Sequence, residues 1–107
     1  MVQKSAMKTL LKDYSFLSKL MVGIGEVAEI TGVPQRQLRY WLEKKIIKAI
    51  SGRTPTTKRF DCAEIKKVLL IKELLDEGFT LEAASEKVEK RMTLIIKAFN
   101  KLKQNQY

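Results

Sequence analysis

The stretch that most constrains the fold of this chain runs from Pro34 to Lys45 and reads Pro-Gln-Arg-Gln-Leu-Arg-Tyr-Trp-Leu-Glu-Lys-Lys. Leu38, Trp41 and Leu42 recur at the spacing of one helix face, which predicts a short amphipathic helix with these side chains in the core. The opposite face would carry donors that match base edges and phosphate oxygens. Ordinary solvated helices have faces of similar composition, so the neighbouring segments must show whether this helix binds DNA. The residues off the buried stripe are Gln35, Arg36, Arg39 and Tyr40.

A second short helix is predicted just before this one, over Glu26 to Thr31, with its acidic residues in the first turn where they complement the helix dipole. Gly32 follows as a candidate C-cap, and Pro34 stands at the start of the next helix. Two helices joined by a glycine-centred turn form a helix-turn-helix, in which the second helix reads DNA.

A small β-hairpin is predicted after the helix pair. Ile46 to Ile50 is a β-branched run, Ser51 to Thr57 is rich in turn residues, and Lys58 to Phe60 is a second short strand. Such a wing would place its cations on phosphates, whereas the alternative is a solvated loop. The cations concerned are Arg53, Lys58 and Arg59.

Two further helices are predicted from their capping residues. Asp61 with Glu64 has the spacing of a capping box, Gly78 ends the first helix, and Thr80 caps a helix that begins at Leu81. The many carboxylates of this region indicate a solvated face directed away from DNA.

Both ends of the chain are amphipathic. Residues 1–22 are predicted to form a helix that either folds back on its own domain or joins a dimer interface. The apolar residues that follow Val88 alternate by four and three, as in a coiled-coil seam, although packing within the protomer would give the same pattern. Thr93 could cap a new helix or lie inside a continuous one. The predicted dimerisation residues are Met92, Ile95, Phe99 and Leu102.

Charge indicates a polyanionic partner. The 107 residues include 21 Lys plus Arg and 12 Asp plus Glu, for a net charge of +9. Residues 23–60 hold eight cations and three anions, whereas residues 61–90 hold five cations and eight anions. The surplus therefore falls on the helix-turn-helix and wing, and double-stranded DNA is the expected partner.

Several other classes of protein are disfavoured. With one cysteine and no histidine, an internal disulfide and the usual zinc or iron sites are not expected, and no cofactor is predicted. Cys62 is interpreted as a packing residue. The sequence shows no catalytic motif, leader or membrane-length apolar run. We therefore expect a cytoplasmic protein that is not an enzyme and has no membrane partner.

The set of motifs in this chain resembles the N-terminal DNA-binding domain of MerR-family transcriptional regulators. The segments that carry the resemblance are Ile24-Gly25-Glu26-Val27-Ala28, Thr31-Gly32-Val33, Leu38-Arg39-Tyr40-Trp41, Phe60 and Gly78-Phe79-Thr80-Leu81-Glu82. The sequence departs from the family pattern at Pro34, where a capping serine is usual, and at Trp41, where tyrosine is commoner. The additional N-terminal helix and the short C-terminal part resemble the GlnR and TnrA branch.

The resemblance implies an all-α fold with a small β-wing: a winged helix-turn-helix, two further helices and short terminal dimerisation helices. It implies that Arg36, Arg39 and Tyr40 contact bases and backbone, that Gln35 and Gln37 occupy variable reader positions, and that Arg53 and Arg59 lie in the wing contacts. The expected domains are residues 1–22, 23–90 and 91–107.

The expected function is that of a homodimeric, sequence-specific DNA-binding transcriptional regulator. Alternatives are an architectural or excisionase-like DNA binder and a protein-interaction module that uses the terminal helices. Because the chain ends at Tyr107 with little room for a ligand pocket of the usual ~300 Å³, a protein effector is expected rather than a small molecule.

Overall fold

The computed structural model describes residues 19–54 and 56–105. Four helices and two short strands follow one another in this part of the chain. They are β1 (Met21–Val22), α1 (Ile24–Thr31), α2 (Gln35–Glu43), β2 (Phe60–Asp61), α3 (Cys62–Asp76) and α4 (Leu81–Asn105). The expected fold class, all-α with a small β-wing, is confirmed.

The four helices share one hydrophobic core around α2. Leu38 and Trp41 of α2 are 0% and 1% exposed, so the stripe predicted from their spacing does face inward. Side chains from α1, the α2–β2 connection, α3 and α4 complete the core. The other buried apolar residues are Val27, Val33, Ile47, Phe60, Val68, Leu70, Ile71, Ala84, Val88 and Met92.

Local capping sets the helix boundaries much as predicted. The amide of Glu64 donates to Asp61 Oδ1 over 2.9 Å at the start of α3, and the amide of Ala83 donates to Thr80 Oγ1 over 3.1 Å at the start of α4. At the end of α3, the amides of Gly78 and Phe79 bond to the carbonyls of Leu75 and Leu74, respectively. This is the Schellman arrangement, which satisfies carbonyls that a helix end would otherwise leave open.

The first strand of the hairpin predicted over residues 46–60 does not form, so that part of the prediction is wrong. Lys45 adopts a left-handed conformation with φ of 61°, and the amides of Ile46 and Ile47 both turn back to the carbonyl of Trp41. Helix α2 therefore also ends in a Schellman motif, which removes these amides from any strand ladder. Ile47 is buried as a core residue rather than as part of a sheet.

The sheet is instead closed by the N-terminal segment. β1 and β2 are antiparallel, with Met21 opposite Asp61 and Val22 opposite Phe60. Most of the helix predicted over residues 1–22 lies outside the described residues, but its last two residues form β1.

Thr93 lies inside a continuous helix rather than at the cap of a new one. The helix is continuous from Leu81 to Asn105, and the Thr93 hydroxyl donates to the carbonyl of Glu89 over 2.9 Å. At 1.5 Å per residue its 25 residues span about 37 Å, against about 22 Å for the 15 residues of α3, so α4 outruns the helix on which it packs. Across residues 19–54 and 56–105, no helix is both long and apolar enough to cross a membrane.

Candidate nucleic-acid interface

The outer face of α2 is polar and exposed. Gln35, Arg36, Gln37 and Arg39 all face solvent, and Tyr40 is 48% exposed. The same nine-residue helix buries Leu38 and Trp41 on its inner face. Burial of that face fixes the rotation of the helix, so the polar side chains must point away from the core.

Two contacts between side chains organise this face. Arg39 Nη2 donates to Gln35 Oε1 over 3.3 Å, one helical turn away. Lys44 Nζ lies 5.6 Å from the centre of the Tyr40 ring, within the range of a cation–π interaction. Both contacts are at the surface, so the same groups are accessible to a ligand.

The turn between α1 and α2 is held by hydrogen bonds of Thr31, which is buried. Its hydroxyl donates to the carbonyl of Val27 over 2.7 Å and accepts from the amide of Val33 over 3.2 Å. The amide of Gly32 bonds to the carbonyl of Ala28 over 2.8 Å, which caps α1 as predicted. Pro34, the N-cap residue of α2, supplies no side-chain hydrogen bond to that helix. The angle between the two helices is therefore fixed from the α1 side.

Helix α3 also holds this turn. Lys72 Nζ donates to the carbonyl of Thr31 over 3.1 Å, across a separation of 41 residues. A cation at the carboxyl end of a helix both satisfies an open carbonyl and complements the helix dipole. Sequence reasoning placed Lys72 on α3 but gave it no role, because no local signal indicates which distant carbonyl a lysine will reach.

The wing is a compact loop between Ser51 and Arg59, which form an isolated antiparallel bridge. Within it, the amides of Thr57 and Lys58 both donate to the carbonyl of Thr54, over 3.0 and 3.1 Å. The Thr57 hydroxyl accepts from the amide of Thr54 over 3.0 Å. All of these bonds join described residues of the wing itself, within 51–54 and 56–59.

The three wing cations differ in their surroundings. Arg53 is exposed, whereas Lys58 and Arg59 are half-buried. Arg59 Nη1 donates to the carbonyls of Thr56 and Lys58 over 3.2 and 3.1 Å, so this guanidinium stabilises the wing itself. The role of all three as phosphate contacts stays a prediction, and Arg53 is the most accessible of them.

Comparison with known proteins places this chain in a family. Residues 23–91 match the family model described as MerR HTH family regulatory protein. The chain belongs to the MerR family. It is also 30% identical over 67 residues to the HTH-type transcriptional regulator TnrA of Bacillus subtilis (strain 168), an alignment that covers 63% of this chain and 60% of that protein. The resemblance to the MerR family that the sequence motifs indicated is thus confirmed.

The four residues of the predicted dimerisation seam on α4 differ in their burial. Met92 is only 7% exposed because it packs in the protomer's own core, and Ile95 is half-buried against the same core. Met92 therefore packs within its own protomer, and its role in a dimer interface stays a prediction. Phe99 and Leu102 are half-buried farther along α4.

Other apolar side chains of α4 remain open to solvent. Leu94 is 67% exposed and Ile96 is 39% exposed. Neither was named from the sequence, because neither position falls on the predicted heptad seam. With Phe99 and Leu102 they make the second half of α4 the more accessible apolar segment of this helix.

An open groove of about 510 Å³ runs between α1 and the start of α2. Glu26 and Glu29 give it an acidic side, and Gln35 of the polar α2 face also lines it. The groove is open to solvent rather than enclosed, so the expectation of a protein effector stays a prediction. Because the groove shares Gln35 with α2, an occupant would stand beside the predicted reading face.

Proposed function

We propose that this protein is a sequence-specific DNA-binding transcriptional regulator that acts as a homodimer. In this proposal α2 enters the major groove and the wing holds the flanking backbone. The observation that carries the proposal is the orientation of α2, whose buried Leu38 and Trp41 turn Arg36 and Arg39 outward. The chain also belongs to the MerR family.

The charge distribution supports the same proposal. Arg36, Arg39 and Arg53 are exposed on the α2 face and the wing, while the carboxylates of α3 and α4 belong to the other part of the fold. Arginine offers planar, bidentate donors to guanine and phosphate. A basic reading surface next to the acidic segment 61–90, which holds eight anions and five cations, is suited to approach DNA in one orientation.

Homodimer formation is proposed from α4. The apolar side chains of Leu94 and Ile96 are exposed, and Phe99 and Leu102 lie half-buried in the last turns of α4. Burial of such side chains in a second copy would remove apolar surface from water. Sedimentation at micromolar concentration should then give twice the 12.3 kDa chain mass.

A protein is proposed as the effector, if the regulator has one. The groove beside α1 is open and lies next to the reading face, so a small molecule there would compete with DNA rather than act from a separate site. Titration of operator DNA with a metabolite library and then with host-cell extract tests this. A metabolite that changes affinity by the ~5- to 150-fold of typical allosteric coupling would contradict the proposal.

The experiment that tests the proposed function is binding to promoter fragments at several salt concentrations. A regulator of this kind should bind specific fragments more tightly than random duplex, and log affinity should fall linearly with log salt. Equal, weak binding to all fragments would indicate an architectural protein. If the protein bound no DNA even at low salt, the function of a protein-interaction module would be favoured.

A further inference from the structure

The carboxylate of Glu64 makes a contact that its position in the sequence does not predict. In a capping box the acidic residue at this position reaches back to the amide of the N-cap residue, here Asp61. Only half of that motif forms, because Asp61 Oδ1 accepts from the Glu64 amide. Glu64 Oε2 instead accepts from the backbone amide of Lys48 over 2.9 Å, 16 residues earlier in the chain.

Lys48 lies at the entrance to the wing. It follows the buried Ile47 and precedes Ile50, whose amide bonds to the carbonyl of Arg59 over 2.9 Å. The amide of Arg59 returns a bond to the carbonyl of Ser51 over 3.0 Å. Lys48 lies between the buried core and this bridge. Its backbone amide is held by the carboxylate of Glu64, which belongs to α3.

Glu64 lies one helical turn before Lys67, whose ion pair joins α3 to α4. Glu64 is half-buried in the first turn of α3. Lys67, one turn along the same helix, is buried and pairs with Glu89 of α4. The cation of Lys67 therefore lies between the support of the wing and the long helix α4.

We propose that Glu64 is a positioning residue for DNA binding, which sets the place of the wing against α3 through the amide of Lys48. Glu64 itself would not touch DNA. The inference rests on the proposed function, because the wing matters to activity only if it contacts DNA. It assigns a role in DNA binding to a carboxylate, the side chain that a polyanion would repel.

The negative charge of Glu64 allows a substitution to separate positioning of the wing from simple electrostatics. Glu64→Ala removes a negative charge, so charge alone would leave DNA affinity unchanged or raise it. If Glu64 positions the wing, affinity for the operator should instead fall by about 3- to 10-fold, the equivalent of one ordinary hydrogen bond. Glu64→Gln keeps an oxygen acceptor for the Lys48 amide and should restore most of the loss.

Glu73→Ala is the matched control. Glu73 is an exposed carboxylate on the same helix, and no side-chain hydrogen bond or ion pair of it is seen among the described residues. This variant has the same net charge as Glu64→Ala but leaves the wing support intact. Its affinity for operator DNA should equal or exceed that of the wild-type protein.

A double-mutant cycle with Arg53 separates positioning from general destabilisation. Arg53→Ala should weaken binding in the wild-type background, and its effect should shrink in the Glu64→Ala background, where the wing is already misplaced. Strict additivity, or operator binding by Glu64→Ala equal to that of Glu73→Ala, would overturn the proposal.

Amide hydrogen exchange of Lys48 gives a measurement that needs neither DNA nor a folded variant. In the wild-type protein this amide should exchange more slowly than the intrinsic rate of an unstructured amide. Exchange at the intrinsic rate would overturn the role of Glu64 even if the protein binds DNA. Protection of Lys48 in a protein that binds no DNA would instead show that the proposed function has failed.

Discussion

Lys72 of α3 and Thr31 of α1 are joined by a hydrogen bond of 3.1 Å from the lysine Nζ to the threonine carbonyl. The bond connects the helix-turn-helix to its support at the turn that sets the direction of α2. Lys72→Met keeps most of the aliphatic stem and removes the donor. We expect a loss of about 1.5 to 3 kcal/mol in the free energy of unfolding, as for a hydrogen bond from a charged group, with weaker operator binding.

Lys66→Met is the control for that variant. Lys66 is an exposed lysine on the same helix, so its substitution changes charge equally without removing a tertiary contact. Denaturant unfolding followed by circular dichroism measures both. If the two variants were equally stable, Lys72 would not be holding the turn.

Gly52 is predicted to be required for the shape of the wing. Its φ is 95°, and an added Cβ would lie 2.2 Å from the carbonyl oxygen of Thr57. Gly52→Ala therefore combines backbone strain with a clash against backbone, and strain of this kind costs about 1 to 3 kcal/mol. Thermal unfolding and operator binding should both show the loss.

Gly78→Ala separates strain from clash. Gly78 has a similar φ of 101°, but a Cβ there would meet nothing within 4 Å. It should therefore destabilise less than Gly52→Ala and leave DNA binding unaffected. Equal effects of the two substitutions on DNA binding would mean that the close approach in the wing is unimportant.

The α2 face and the wing are expected to contribute differently to DNA recognition. Arg36→Ala or Arg39→Ala should cost ~1 to 3 kcal/mol at the specific site and relax base preference where the side chain meets a base. Arg53→Ala or Lys58→Ala should weaken binding to all sequences and reduce the salt slope by about one. Quantitative binding to single-base variants of the operator distinguishes these patterns. Altered base preference in the wing variants alone would reverse the two roles.

Stability should depend on pH through Glu64. Burial raises the pKa of this carboxyl above its ordinary value of 4.5, and Asp61 and Glu89 act in the same direction, while the Lys48 amide and Lys67 act to lower it. The folded state then binds the proton more tightly than the unfolded state, so stability associated with Glu64 is present below pH 4.5 and lost as pH rises through the folded pKa.

Glu64→Gln should remove this pH dependence, since the amide does not titrate. The unfolding free energy of wild type minus that of Glu64→Gln should therefore decline as pH rises from below 4.5 through the raised pKa of Glu64. Parallel urea titrations across this range measure the difference. A difference that increases with pH would have the wrong sign and would mean that the pKa is lowered.

The parts of the fold that depend on neighbouring residues could be predicted from the sequence. The buried stripe of α2 and the caps at Gly32, Asp61 and Thr80 all follow from residues within one helical turn, and the structure confirms each. The pairing of β1 with β2 could not be predicted, because it joins residues about forty positions apart without a turn signal.

The errors at the candidate site have the same physical origin. The run Ile46 to Ile50 has the composition of a strand, but the amides of Ile46 and Ile47 are taken by the end of α2. Met92, which heptad spacing selected for a dimer seam, packs in its own domain, and its place in a dimer stays a prediction. Lys72 and Glu64 were missed as supports because each reaches a distant backbone group.

Selection of bound sequences from a random duplex library tests whether a homodimer recognises DNA through α2. A homodimer that reads DNA through α2 should enrich sequences with two inverted half-sites at a fixed spacing, and Arg39→Ala should relax specific positions within each half-site. Recovery of sequences with no shared motif, or of a single half-site without its inverted copy, would contradict the proposed mode of recognition.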